Sequence, residues 1–489
     1  MGERDGRTNP MRRGERREAI LQAAVEAFAR WGYELASTNR IAGAARVAKG
    51  LVFRHFGSKE GLFEAAVERA CERVFALDDQ PLPSDPFARL EEFLARRAAR
   101  IQAHPAEARL IARFRCRLHS VLNPPARRIG EAYARLRHQF QQGVDTRAFR
   151  PGVDPEAGVE LLLLVAEGVE HQLLDAAAAG FGEAGEVSEV SEVSEVSEEA
   201  ARAAREAGDA PTRTEGPDAR EASVSVPGIA PEAVRQRARA LARLLRQGIY
   251  RPGAKASASP VSVDPRPLIA TIERLAPINA AGDERRERIL RAAQELFAER
   301  GFDGTPAEAI AARAGVAKGL IFHHFGSKEK LYLAAVADAA ARLHQMFFEQ
   351  EGAPDPDLFQ RMLAWTQRKT LIFQEQPLLY GLVLSAIAQP PAGTQEAVSQ
   401  YVAEGVQQGW QLIWEGVDTS PFRPGVDPAL AMELVIMVSE TLTDRLMVQL
   451  AGHPDRGTEL LPAVTERMAR FLTLLRDGID RPGDTEPVE

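Results

Sequence analysis

Two short runs of this sequence concentrate side chains that grip anions and the edges of heterocycles. One, VAKGLVFRHFGSKEGL from Val47, carries Lys49, Gly50, Leu51, Arg54, His55 and Lys59; the other, VAKGLIFHHFGSKEKL from Val316, carries Lys318, Gly319, Leu320, His323, His324 and Lys328. Lysine, arginine and histidine offer charge-assisted donors to phosphate-like oxygens, and a glycine lets a partner approach the backbone closely. Neither run pairs a nucleophile with a base, and the chain has no phosphate loop, dinucleotide fingerprint or nucleophile elbow. His323 and His324 point in different directions on a helix and have no carboxylate or thiol at ligand spacing, so they do not read as a metal pair. The sequence therefore predicts no enzyme, no metal and no cofactor. What remains is non-covalent recognition of a polyanion. Taken alone, a Lys-Gly-x-x-Phe-x-His-Phe octamer reads as well as a core stripe beside a solvated face.

The context is a duplication. Residues 15–67 recur at an offset of 269 as residues 284–336, identical at 31 of 53 positions. FRPGVDP recurs at Phe149 to Pro155 and Phe422 to Pro428, an offset of 273, and LARLLRQGIYRPG from Leu241 answers FLTLLRDGIDRPG from Phe471 at 230. A compact unit carried twice suggests a homodimer fused into one polypeptide.

Apolar residues fall at three and four spacing almost throughout, as in Ile20, Leu21, Ala24 and Phe28, and no segment alternates long enough for a sheet. The prediction is all-α. In the second copy the spacing predicts a helix over 285–300 ended by Gly301, with Thr305 as the cap of the next helix, Pro306 in its first position and Glu308 completing a capping box. Gly315 turns the chain into a helix from Ala317 to Phe325. Two short helices joined by a tight turn behind a first helix form a helix-turn-helix, whose last helix can enter a major groove. In the first copy Ala36 stands in place of Thr305, leaving Ser37 or Thr38 to cap, and Arg46 replaces the turn glycine at a left-handed position.

At these residues the chain resembles the TetR family of transcriptional regulators. That family's pattern, Gly-Phe through Thr, Ile-Ala, Ala-Gly-Val, Lys-Gly and His-Phe to Ser-Lys-Glu-x-Leu, runs through Gly301 to Leu331 and, with more exceptions, Gly32 to Leu62. The resemblance implies two tandem units, each a three-helix head plus a helical ligand-binding and dimerising domain, that together form an intramolecular pseudo-dimer. It implies that Lys49 and Lys318 meet a double-stranded DNA operator at the start of a recognition helix. Leu51 and Leu320 replace a common hydroxyl residue; Arg54 and His323 face a base edge or phosphate; His55, His324, Lys59 and Lys328 face phosphates. Ser37, Thr38, Arg46, Gly50, Gly319 and Thr305 complete the expected contacts. Phe53 and Phe322 stand where the family commonly has tyrosine.

The expected organisation is a head over 1–60, a regulatory domain over 61–253, a linker with one short helix over 254–282, a second head over 283–329, a second regulatory domain over 330–483 and a tail over 484–489. The net charge of −8 is segregated: residues 183–221 alone sum to −8, within an acidic low-complexity insertion over 183–226 that predicts disorder, while residues 1–60 sum to +5 and 283–330 to +1. A basic arm with Arg4, Arg7, Arg12 and Arg13 precedes the first head. The N-terminus lacks the apolar core of a signal peptide and no run is long enough to span a membrane, so a cytoplasmic location is expected. Two cysteines, Cys71 and Cys116, make no framework.

The last two helices of each copy, about 155–180 with 231–248 and 428–451 with 462–478, are expected to pack as a four-helix bundle within one chain, leaving a higher oligomer open. Aromatic and polar residues behind the heads, Phe114, His119, Tyr133, Trp365, Phe373, Tyr380, Trp410 and Trp414, divide between core and a pocket for a small apolar effector. The function this implies is a ligand-responsive repressor acting on a near-palindromic operator. The alternative is a protein-interaction module that keeps the scaffold without binding an operator.

Overall fold

The computed structural model describes residues 13–76, 80–115, 124–179, 230–248, 284–348, 355–388, 390–391, 393–394, 396–398, 413, 415–451 and 457–478. Among them every regular element is helical. The first copy contains α1 (Arg13–Leu35), α2 (Thr38–Ala44), α3 (Lys49–Phe56), α4 (Lys59–Val74), α5 (Pro86–Ala103), α6 (Pro105–Arg115), α7 (Pro124–Gln141), α8 (Pro155–Ala179) and α9 (Pro231–Gln247). The second contains α10 (Glu284–Arg300), α11 (Ala307–Ala314), α12 (Lys318–Phe325), α13 (Lys328–Phe348), α14 (Leu358–Glu375), α15 (Pro377–Ala388), α16 (Pro428–Ala451) and α17 (Gly457–Asp477). The last begins five residues before the proline expected to start it, so Pro462 lies inside the helix. The acidic insertion, the linker, the basic arm's Arg4, Arg7 and Arg12, and the tail lie outside the described residues.

Local chemistry repeats between the copies. Asp85 caps α5 by accepting from the Phe87 and Ala88 amides, and Asp357 caps α14 by accepting from Phe359 and Gln360. Four residues later, buried Arg89 donates to the carbonyls of Pro83 and Phe140, and buried Arg361 donates to those of Asp355 and Ile413. These matches fix the register of α5 on α14 at an offset of 272. Each guanidinium satisfies carbonyls that would otherwise be left without donors in a dry interior, where each orphan costs about 1–3 kcal/mol.

The two copies join through α8, α9, α16 and α17. Leu161, Leu164, Leu173, Leu241 and Leu245 are buried, as are Leu434, Val438, Phe471 and Leu475, in one apolar core that runs from the first head into the back of the second copy. Each such side chain contributes about 1.5–3 kcal/mol on leaving water. The polar border of this core is quasi-symmetric. Arg237 pairs with Glu433, and Arg467, its equivalent 230 residues on, pairs with Glu160, the equivalent of Glu433. Gln172 donates to Glu433, and its equivalent Arg445 reaches Glu160 at 3.6 Å. Reciprocal contacts of this kind define an isologous interface, the sort a twofold dimer makes.

Two glycines let the helix ends touch. Gly248 and Gly478, which end α9 and α17, have φ of 79° and 78°. A Cβ on Gly248 would stand 2.4 Å from the Gly478 nitrogen, and one on Gly478 would stand 2.5 Å from the Gly248 nitrogen. No other residue type tolerates both the left-handed conformation and that proximity. Symmetry is incomplete: Arg470 pairs with Asp154, but its counterpart position is Ala240.

Candidate nucleic-acid interface

Each head is built around a turn between its second and third helices. In the second, Gly315 adopts φ 65° and ψ 41°, and the Val316 amide donates back to Ala311. In the first, Arg46 holds φ 55° and is the one non-glycine residue with positive φ among the described residues; the Val47 amide donates to Ala42 in the same way. The turn geometry is thus retained, at a cost of about 1 kcal/mol for the side chain. That side chain is exposed beside the recognition helix.

The recognition helices α3 and α12 are anchored by buried Val52 in one head and by Ile321 and Phe325 in the other. Their outer faces present Lys49, Gly50, Phe53 and Arg54, and Lys318, Gly319, Phe322 and His323. Leu51, His55, Leu320 and His324 are half-buried. A Cβ on Gly50 or Gly319 would meet no atom of the protein within 4 Å, so the fold does not require glycine there. Within a helix that choice forgoes about 0.5–1 kcal/mol relative to alanine. Phe53 and Phe322 are 39% and 41% exposed and belong to the same surface. Sequence reasoning noted only their missing hydroxyl; their position at five residues into an amphipathic helix, off the Val52 and Ile321 stripe, was the available signal.

Lys59 and Lys328 lie where the next helices begin, each stacked on a ring: Lys59 at 4.5 Å from the centre of Tyr33 and Lys328 at 4.1 Å from that of Phe302. Both are half-buried, with their ammonium groups held at the rim of the head. Tyr33 also donates to Glu60 at 2.6 Å, and that bond, with the backbone and Ser58, holds the Glu60 carboxyl at about 2. Arg17 and Arg286, equivalent residues on the first helices, stack over Phe56 and Phe325 at 5.3 and 5.1 Å, adding an exposed cation at the end of each recognition helix. The sequence reading missed this pair, although the shared Glu-Arg-Arg-Glu run contained it.

Two expectations change. Thr305 is not a cap: it is fully buried, and its hydroxyl donates to the carbonyls of Leu296 and Gly301, tying α10 to the loop. It therefore cannot meet DNA. Pro306 occupies the cap position without a side-chain bond, and Glu308, instead of closing a capping box, pairs with Lys318. That bond lowers the Glu308 carboxyl below its ordinary range. In the first head Ser37 caps α2 through the Asn39 amide, with Thr38 half-buried behind it. Asn39 stands at the position of Glu308, and among the described residues Lys49 makes no ion pair.

The heads are tied to the helices behind them by different chemistry. In the first copy, buried Arg69 on α4 joins Glu18 and Gln22 of α1 and approaches Glu107 of α6 at 3.7 Å. In the second, Gln294 of α10 donates to Asp338 and to the Ala335 carbonyl of α13.

The aromatics behind the heads are mostly packing. Phe114 meets Phe63 at 4.7 Å; Tyr133 meets Phe75 at 4.8 Å and His171 at 5.7 Å; Phe373 meets Tyr380 edge-on at 5.5 Å. Trp365 packs at a tilt of 31° against both Phe347 and Phe348, each at 5.2 Å, and also borders a cavity of about 10 Å³ with Met362, Thr366, Lys369, Ser439 and Thr443. The expected apolar pocket is therefore closed to roughly one water, and it contains a lysine. His119, Trp410 and Trp414 fall outside the described residues. No helix among the described residues is long and apolar enough to cross a membrane.

Comparison with known proteins agrees with this geometry. The family described as bacterial regulatory proteins, tetR family, matches residues 20–66 and 289–335. The transcriptional repressor Rv3405c of Mycobacterium tuberculosis is 34% identical over 182 residues, 34% of this chain and 93% of that protein. The repressor AcnR of Corynebacterium glutamicum is 41% identical over 73 residues; the match spans 14% of this chain and 39% of AcnR. The chain thus spans about two fifths of AcnR's length. Among solved structures, FadR of Bacillus subtilis in complex with stearoyl-CoA is 19% identical, covering 40% of this chain and 98% of that one at a TM-score of 0.30. PfmR of Thermus thermophilus is 22% identical, with 40% and 97% covered, also at 0.30. Neither likeness bears on function at that score.

Proposed function

This chain belongs to the tetR family of bacterial regulatory proteins, and we propose that it is a single-chain pseudo-dimeric DNA-binding transcriptional regulator, a repressor relieved by a small molecule bound behind its heads. The observation that carries the reading is the presence of two recognition helices, each with an exposed glycine that the fold does not require, in two copies joined through one quasi-symmetric interface. A twofold arrangement of heads suits a twofold operator. Seven of the nine residues from Ala48 to Phe56 match those from Ala317 to Phe325, so the half-sites are near-identical and the operator near-palindromic, with centres about 34–36 Å apart or a multiple of that. The named repressors among the relatives support repression.

Joining the copies covalently replaces association between chains with an effective concentration of about millimolar, so paired heads survive dilution. Lys49, Arg46, Arg54 and Arg17 in the first head, and Lys318 and Arg286 in the second, neutralise phosphates, and the flanking Phe53, Phe322, Leu51 and Leu320 meet sugars or thymine methyls. Selection of bound fragments from genomic DNA, followed by gel shift with one half-site scrambled, tests the reading. Affinity drops steeply if the heads act together, and an unchanged affinity overturns the pseudo-dimer. Binding also weakens with salt by a log–log slope of about 0.9 per phosphate neutralised.

A further inference from the structure

One helix crossing behind the heads is built differently in the two copies, with Arg97 and Glu170 buried in the first and a half-buried Lys369 in the second. In the first, the Arg97 guanidinium on α5 donates to Glu170 on α8 at 2.8 Å, with side chains only 3% and 1% exposed, and also to the Val74 carbonyl. The registers set by Asp85 with Asp357, and by the FRPGVDP landmarks, align Arg97 with Lys369 and Glu170 with Thr443. The second copy thus keeps the cation and lacks its buried carboxylate. Lys369 and Thr443 line the same cavity, with Thr366 and Ser439 adding hydroxyls, Trp365, Met362, Ile413 and Ile436 adding apolar walls, and the exposed Glu440 adding one carboxylate at its solvent side. Among the described residues Lys369 has no hydrogen bond or close ion pair, and its acidic neighbours Glu440 and Asp444 are exposed to solvent. Burial disfavours its ammonium, but the Tyr380 oxygen, Asp444 and Glu440 outweigh burial and hold it above the usual lysine range.

We propose that the second copy alone binds the regulatory ligand, a small organic acid whose carboxylate takes at Lys369 the place that Glu170 fills beside Arg97, with its apolar body against Trp365. The first copy shows what this niche accepts: a carboxylate against a cation at a helix crossing. There the side chain is built in, and the site is sealed. A cavity in the first copy borders Arg96, Arg97 and Phe93, but no residue of α8 lines it, and the guanidinium is already committed to Glu170. In the second, Thr443 leaves the carboxylate to be supplied from outside, and α14 and α16 part to admit it, since the present cavity of about 10 Å³ holds roughly one water. One ligand therefore serves one chain, whereas a symmetric dimer would take two.

The inference rests on the reading that the helices behind the heads hold an effector. Calorimetry on the full chain without DNA tests it with two matched pairs of probes: phenylacetate against phenylacetamide, and octanoate against octanamide. At least one carboxylate binds at one per chain, and its amide binds at least tenfold more weakly. Lys369→Met removes the preference. Thr443→Glu, which restores the first copy's arrangement, abolishes binding while raising the melting temperature, so it remains decisive if Lys369→Met fails to fold. Equal binding of acid and amide, two sites per chain, unchanged binding in Thr443→Glu, or no binding of either acid at millimolar concentration overturns the proposal. Operator retention is measured on the same preparations by gel shift. Its loss sinks the DNA-binding reading independently of the calorimetry.

Discussion

The two heads are near-copies that have settled a conflict between stability and grip in opposite ways. The second has the glycine turn, the buried Thr305 hydroxyl and an ion pair that holds Lys318 on Glu308. The first has a strained Arg46, Ala36 where the threonine lock would be, and a Lys49 opposite neutral Asn39. The better-built head thus engages its leading cation with its own carboxylate, and the strained head leaves that cation, together with an extra arginine, directed outward. The heads are therefore expected to divide the work unequally, the first supplying more electrostatic grip and the second more rigidity.

Four changes break or sharpen that contrast. Largest, Lys49→Ala with Lys318→Ala lowers operator affinity by about a hundredfold and reduces the salt slope by about two, read by gel shift over a salt series; of the single variants, Lys49→Ala has the greater effect. Next, Thr305→Ala removes the buried hydroxyl whose single proton is shared between the Leu296 and Gly301 carbonyls and costs about 1–3 kcal/mol, seen as a lower melting temperature and earlier hydrogen exchange in the second head. Third, Arg46→Gly relieves the turn and stabilises the first head by about 1 kcal/mol in chemical denaturation, while weakening its half-site several-fold. Smallest, Glu308→Asn frees Lys318 and tightens the second half-site by no more than a few-fold, because solvent screens an exposed pair. Equal responses of the two half-sites to Lys49→Ala and Lys318→Ala would remove the contrast altogether.

Much of this was legible in the residues. The offset of 269 exposed both heads, and the left-handed position at Arg46 followed from aligning it with Gly315. Asp85 and Asp357, each just ahead of an apolar run, carry the local signal of a helix start, but only the structure brought α5 and α14 to notice. Thr305 was misread because a threonine before proline satisfies the local rule for a cap, whereas its bonds run to carbonyls nine and four residues back, set by packing of the loop on α10. Glu308 was misread for the same reason: the capping-box spacing is local, and the pull of Lys318, ten residues on, is not. The niche at Lys369 was hidden in a second way. Arg97, Glu170, Lys369 and Thr443 lie on separate helices, and their correspondence appears only when two registers of 272 and 273 are laid together.

The single bond between Arg470 and Asp154 has a meaning beyond its strength. Identical subunits related by a twofold axis must form such a bond twice or never, because one codon writes both faces. Here Ala240 occupies the mate's position, and the bond exists once. Fusion of the genes has given each face its own heredity, so a lineage can specialise one half for sensing while the other is conserved for architecture.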